Sequence, residues 1–145
     1  MAFPTPVPGL VVRYSFLWSH EARAGAEEGR KDRPCAVLLT MRSQRGRDVV
    51  TVLPITHSPP DDPAFAVEIP PATKKRLGLD GERSWIILSE ANRFFWPGPD
   101  LRPIPGGDPD AVAYGHLPEA LYDIVREKWL EAFDKGRAGQ IARSE

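Results

Sequence analysis

Arg33-Pro34-Cys35-Ala36-Val37-Leu38-Leu39 and, further on, Val49-Val50-Thr51-Val52-Leu53-Pro54-Ile55-Thr56-His57 are the stretches from which the fold is read. Each carries a short, unbroken apolar run bounded by polar residues, the pattern of a buried strand. Their ends present charged and hydroxylated side chains at a loop. Between them, Arg42-Ser43-Gln44-Arg45-Gly46-Arg47 reads as a basic, hairpin-like connection. Pro54 cannot donate to a ladder, so it is expected to end the second strand or to mark an edge.

Outward from this pair, residues Leu10 to Trp18 place Val12, Tyr14, Phe16 and Trp18 on one face of a further strand at period two. The polar segment Ser19 to Arg33 reads as a long mobile loop. Phe65 to Ile69 and Trp85 to Leu88 add short strands, and Pro70 to Leu79 one or two helical turns. Pro97 to Pro109, rich in proline and glycine, is expected to be a loop without regular structure. From Pro118 the spacing of Leu121, Val125 and Trp129, with Ile124 and Phe133, predicts a helix ended by Gly136. Many short strands followed by one helix point to a mainly β fold, a small antiparallel barrel with a C-terminal α-helix. The expected layout is an extended proline-rich arm over 1–8, a single domain over 9–136 and a frayed tail over 137–145.

A chain of 145 residues, 41% apolar and 27% charged, suits one globular domain. Its net charge of −1 excludes nucleic-acid binding by bulk charge, so the distribution carries the information. From Arg30 to Arg47 six basic residues face one acid, a local charge of +5, whereas Pro118 to Asp134 carries −3. The lone Cys35 lies inside an apolar run and reads as a buried, inert thiol of a reducing compartment. No apolar stretch reaches the ~18 residues of a membrane span, and the proline-rich N-terminus lacks the pattern of a signal peptide. The expectation is a cytoplasmic protein.

The charged strand ends suit chemistry on a phosphodiester. Cleaving RNA without a metal requires a base for the 2′-hydroxyl, an acid for the leaving 5′-oxygen, and donors for the developing charge. Arg33 offers a planar fork matched to two phosphate oxygens. Thr56 and Ser58 could donate hydrogen bonds to a phosphate, Glu28 could orient Arg33 or accept a proton, and His57 is a candidate acid or base. Arg30, Lys31, Arg42, Arg45 and Arg47 supply positive charge toward RNA, and Trp96, beside Phe94, is the aromatic chosen for stacking an unpaired base. A phosphate-binding glycine loop, a nucleophile elbow and a metal-ligand spacing of His and Cys are all absent from the sequence, so no cofactor and no metal are expected.

These residues resemble the PemK/MazF family of toxin endoribonucleases. The matching pieces are Gly9-Leu10-Val11-Val12-Arg13-Tyr14, Glu28, Arg33-Pro34-Cys35-Ala36-Val37-Leu38, Leu53-Pro54-Ile55-Thr56, Trp85-Ile86-Ile87-Leu88-Ser89-Glu90, and Tyr114-Gly115-His116-Leu117-Pro118. The resemblance implies an SH3-like barrel, a homodimer, and a cognate antitoxin protein. It also implies metal-independent cleavage of single-stranded RNA to 2′,3′-cyclic phosphate and 5′-hydroxyl ends. Arg33 and Thr56 match the motif positions tied to catalysis, Glu28 a carboxylate before the arginine, and His57 and Glu90 are further transfers. The stretch Ser89-Glu90-Ala91-Asn92 departs from the family pattern. Two alternatives therefore stand beside the nuclease: a barrel that inhibits growth by binding a protein through Phe94 to Pro109, and a member that keeps the fold without cleaving.

Overall fold

The computed structural model describes residues 3–26, 29, 31–43 and 45–143. Eight strands are present: β1 (Leu10–Ser15), β2 (Asp32–Arg42), β3 (Asp48–Thr56), β4 (Ala66–Glu68), β5 (Trp85–Ile87), β6 (Glu90–Phe95), β7 (Ala113–His116) and β8 (Gly139–Ala142). The helices are α1 (Ser19–Arg23), α2 (Pro71–Arg76) and α3 (Glu119–Asp134). The sheet runs β4-β5-β3-β2-β1-β7, with β6 paired to β3 and β8 to β6. Every pairing is antiparallel except β6 with β8. This is the expected mainly β architecture with a C-terminal helix. The hydrogen-bonded path does not close, since β4 and β7 end it. The sheet nevertheless curls. Tyr14 on β1 and Phe94 on β6 stack with ring centroids 4.5 Å apart, although β2 and β3 lie between their strands.

Curling gives the sheet two cores, which explains the unbroken apolar runs of β2 and β3: these strands bury both faces. Val12, Tyr14, Cys35, Val37, Val50, Val52, Phe94 and Trp96 fill the concave side. Val11, Ala36, Leu53, Ile86 and Ala91 meet Leu121, Val125 and Trp129 of α3 on the other. Cys35 is fully buried, and loss of solvation pushes its thiol far above the ordinary range, so it is inert as expected.

β3 holds the halves together. It pairs with β2 along one edge; along the other it meets β6 over Val49–Val52, then β5 at Ile55 and Thr56. Pro54 sits where the partner changes, so its missing N–H interrupts no ladder and the strand continues to Thr56 instead of stopping.

Three expectations are corrected. Ser19 to Arg33 is not wholly a loop: it contains the short helix α1, and Gly29 packs so tightly just past the end of β1 that a Cβ there would collide with the Phe16 carbonyl. Ile124 and Phe133 of α3 are about half exposed, and Ala132 takes the buried position in their place. Part of the expected tail is ordered. Gly136, at φ +71°, reverses the chain after α3, and residues 139–142 join β6 as the parallel strand β8. Arg143 then buries its guanidinium, donating to the Ser15 carbonyl (2.7 Å), Asn92 Oδ1 (2.9 Å) and Asp100 Oδ2 (2.7 Å). A polar sequence concealed this strand because its order comes from partners more than forty residues away.

Candidate functional site

The register that pairs Cys35 with Pro54 sets Arg33, two residues earlier on β2, level with Thr56, two residues later on β3. The two residues singled out on separate strands are thus neighbours at one end of the sheet. Two clefts meet there. One, of about 650 Å3, opens between α1, the 58–65 segment and the start of β6. The other, of about 470 Å3, lies between β1, the 78–80 turn and Tyr114. Lys31, Arg33, Thr56 and Ser58 line both and form the wall between them.

Arg33 is the centre of that wall. Its guanidinium carbon lies 5.1 Å from the centre of the Trp18 ring, so the indole supports the cation without consuming its hydrogen bonds. Nε is buried and has no hydrogen-bond partner among the described residues. An unsatisfied buried donor costs about 1–3 kcal/mol, a cost that an anionic ligand would remove. Beside it the Ser58 amide donates to Thr56 Oγ1 at 3.2 Å, which leaves the Thr56 hydroxyl proton free to point elsewhere.

The support beneath comes from β6. Asn92 grips the backbone of Leu17 twice, accepting from its N–H and donating to its carbonyl, each at 2.8 Å. Glu90 accepts the Ser19 amide at 2.6 Å. Trp18 is therefore clamped from both sides over Arg33. Glu90, expected to touch RNA, has one carboxylate oxygen committed to this clamp and still lines the first cleft.

His57 reaches the second cleft but is tied to a separate network. Its Nδ1 lies 3.0 Å from both the Arg83 carbonyl and Ser84 Oγ, and its Nε2 lies 2.8 Å from Asp80 Oδ2 and 3.6 Å from Glu82 Oε2. Buried Lys74 donates to Asp80 Oδ1 (2.8 Å), Ser84 Oγ (2.6 Å) and the Glu82 carbonyl. Among the described residues, His57, Asp80 and Glu82 form the one group whose ligand atoms could jointly hold a cation, all lying within 4.8 Å. A count of His and Cys alone could not have found it. The Lys74 ammonium already supplies positive charge to this group.

The Lys74 hydrogen bond, helped by the Glu82 amide, holds the Asp80 carboxyl below its ordinary value of 3.8. A depressed carboxylate stabilises the fold above the unfolded-state value, and that contribution vanishes as pH falls through the folded-state value. Asp80→Asn is thus expected to be less stable than the native protein near neutrality and to converge with it only once the pH has fallen below the depressed folded-state value of Asp80. Urea midpoints across that range check this; a gap that persists in acid would refute the ionic origin.

The remaining expectations divide. Glu28 and Arg30 lie outside the described residues. Arg42, Arg45 and Arg47 sit at the far end of the β2–β3 hairpin, about 30 Å from Arg33 at the rise of an extended strand, and share neither cleft. There Arg42 pairs with Asp48 and Arg47 covers the Phe95 ring. Trp96 is a correction: it is buried with Phe94 and Phe3 and cannot stack a base. Trp18 is the tryptophan of the cleft, and its position at the junction of an alternating strand with a polar loop was the available signal. Arg13 and Tyr114, joined by a 3.2 Å hydrogen bond in the second cleft, were also missed.

Comparison with curated proteins gives no match. Arg33 and Thr56, side by side at the seam of two clefts on a curled antiparallel sheet, fall within the region that a family model recognises. That model, described as the PemK-like, MazF-like toxin of type II toxin–antitoxin systems, matches residues 14–93, more than half of the chain, and the chain belongs to this family.

Proposed function

We propose that this toxin is a metal-independent endoribonuclease acting on single-stranded RNA. The observation that carries the reading is Arg33: a guanidinium with an unpartnered buried Nε, held on Trp18 beside two hydroxyls where two clefts meet. A scissile phosphate at that wall would have one nucleotide in each cleft. The 2′-oxygen attacks phosphorus as its proton leaves, the bond to the 5′-oxygen breaks, and that oxygen takes up a proton. The products are a 2′,3′-cyclic phosphate and a 5′-hydroxyl. Arg33 stabilises the charge of the phosphorane, and Thr56 and Ser58 donate to its oxygens. Proton transfer is assigned to His57 in the second cleft and to Glu28, the carboxylate of the motif.

Membership of a type II system implies a cognate antitoxin; homodimerisation and the RNA substrate belong to the proposal. No helix among the described residues is long and apolar enough to cross a membrane. The alternative of docking a protein through Phe94 to Pro109 gains no support from the structure, because Phe94, Trp96 and Leu101 of that stretch are buried.

Incubation of the purified protein with mixed-sequence single-stranded RNA in EDTA tests the reading. Fragments bearing cyclic phosphates are expected. Intact RNA across many sequences, from a protein that still arrests growth, would replace it with a binding toxin.

A further inference from the structure

The larger cleft is unusual for an RNA-binding surface in the sign of its far side. Lys31 and Arg33 mark one wall, whereas Glu21, Asp61, Asp62 and Glu90 are among the residues lining the rest. Carboxylates repel a phosphate, so the backbone is confined to the cationic seam and the remainder of the cleft suits a base with N–H donors. Trp18 and Phe65 add apolar surface for that base.

The four carboxylates are not equivalent. Asp62 Oδ1 caps the following turn by accepting the Ala64 amide at 2.9 Å, Glu90 Oε1 holds Ser19, and Glu21 Oε1 accepts the Trp18 amide at 3.1 Å. Asp61 makes no hydrogen bond or ion pair with any described residue, leaving both oxygens open. It is nonetheless held firmly. Pro59-Pro60-Asp61-Asp62-Pro63 contains three prolines in five residues, and the cap at Asp62 fixes the next turn, so little freedom remains to be lost on binding.

We infer that Asp61 reads a guanine next to the scissile phosphate, its two oxygens accepting from N1–H and the 2-amino group. The choice of base follows from edge chemistry. Guanine alone sets two adjacent donors on its Watson–Crick edge, matching both oxygens of one carboxylate. Adenine and cytosine place a single amino group beside an unprotonated ring nitrogen, which would face the second oxygen lone pair to lone pair. Uracil flanks its one N–H with two carbonyls. The inference rests on the ribonuclease reading and names the substrate of that same site.

The test pairs the native protein and Asp61→Asn with short RNAs that differ at one position: guanine, inosine, which lacks the 2-amino group, or uracil. Cleavage is followed in EDTA, and binding is followed separately on 2′-deoxy versions that cannot be cut. The native protein is expected to favour guanine over inosine and over uracil by about tenfold in kcat/KM. In Asp61→Asn the ratio of guanine to inosine should fall to near one, which a general loss of folding would not produce. Cleavage with no guanine preference, or with a preference that Asp61→Asn retains, overturns the assignment and leaves the ribonuclease standing. Guanine-selective binding that depends on Asp61, without cleavage, supports the assignment and removes the ribonuclease. Neither binding nor cleavage overturns both.

Discussion

Arg33→Ala is expected to lower the rate of RNA cleavage by about 10²–10³-fold while leaving the melting temperature unchanged or slightly raised. The two halves of this expectation share one cause. In the free protein the guanidinium is underused: it rests on Trp18, its Nε is buried without a partner, and it contributes little that the fold needs. On the proposed reading its interactions are made when a phosphorane fills the seam, so truncation should remove transition-state stabilisation and relieve a small native-state penalty. Arg33→Lys should recover only part of the rate, because a point charge cannot reproduce the fork. Single-turnover cleavage beside thermal melting separates the effects. A variant that cuts at full rate would remove Arg33 from the chemistry, and one that unfolds would show that the fold depends on it.

The second large effect is on stability. Arg143→Ala is expected to cost about 3 kcal/mol or somewhat more, because it leaves buried Asp100 with only the longer 3.6 Å contact to Arg102 and leaves the Ser15 carbonyl and Asn92 short of a donor. For a chain of this size that loss lowers the melting temperature by roughly 10–15 °C. Arg143→Met with Asp100→Asn should be less harmful than the sum of the single changes, since the two share one ion pair 2.7 Å long. Additive losses in thermal melts would show that the pair is not coupled. The damage should also reach the cleft, because the Asn92 oxygen bonded by Arg143 accepts the Leu17 amide next to Trp18.

The comparison of sequence with structure is most instructive at the strand ends. β2 and β3 were legible because strands buried on both faces must be continuously apolar, and Arg33 and Thr56 were legible as polar residues at their exits. That the two are neighbours is a matter of register, which no local pattern encodes. β8 was invisible for a related reason: Gly139 to Ala142 has no apolar alternation, and its order derives from the edge of β6 and the burial of Arg143. Trp96 and Trp18 exchanged roles because both end an aromatic alternation. Neither the interior contacts that Trp96 makes with Phe3 and Phe94 nor the Asn92 clamp beneath Trp18 could be read from spacing.

The clamp on Trp18 has a consequence for the order in which a toxic chain becomes dangerous during synthesis. The seam is built from residues near the start, yet Asn92 and Arg143 secure it, and β1 finds its second neighbour only at β7. Contacts this distant in sequence form late. Until Asn92 and Arg143 have been added, the emerging chain lacks the parts that hold the Arg33 seam in place, an interval in which an antitoxin can already be waiting.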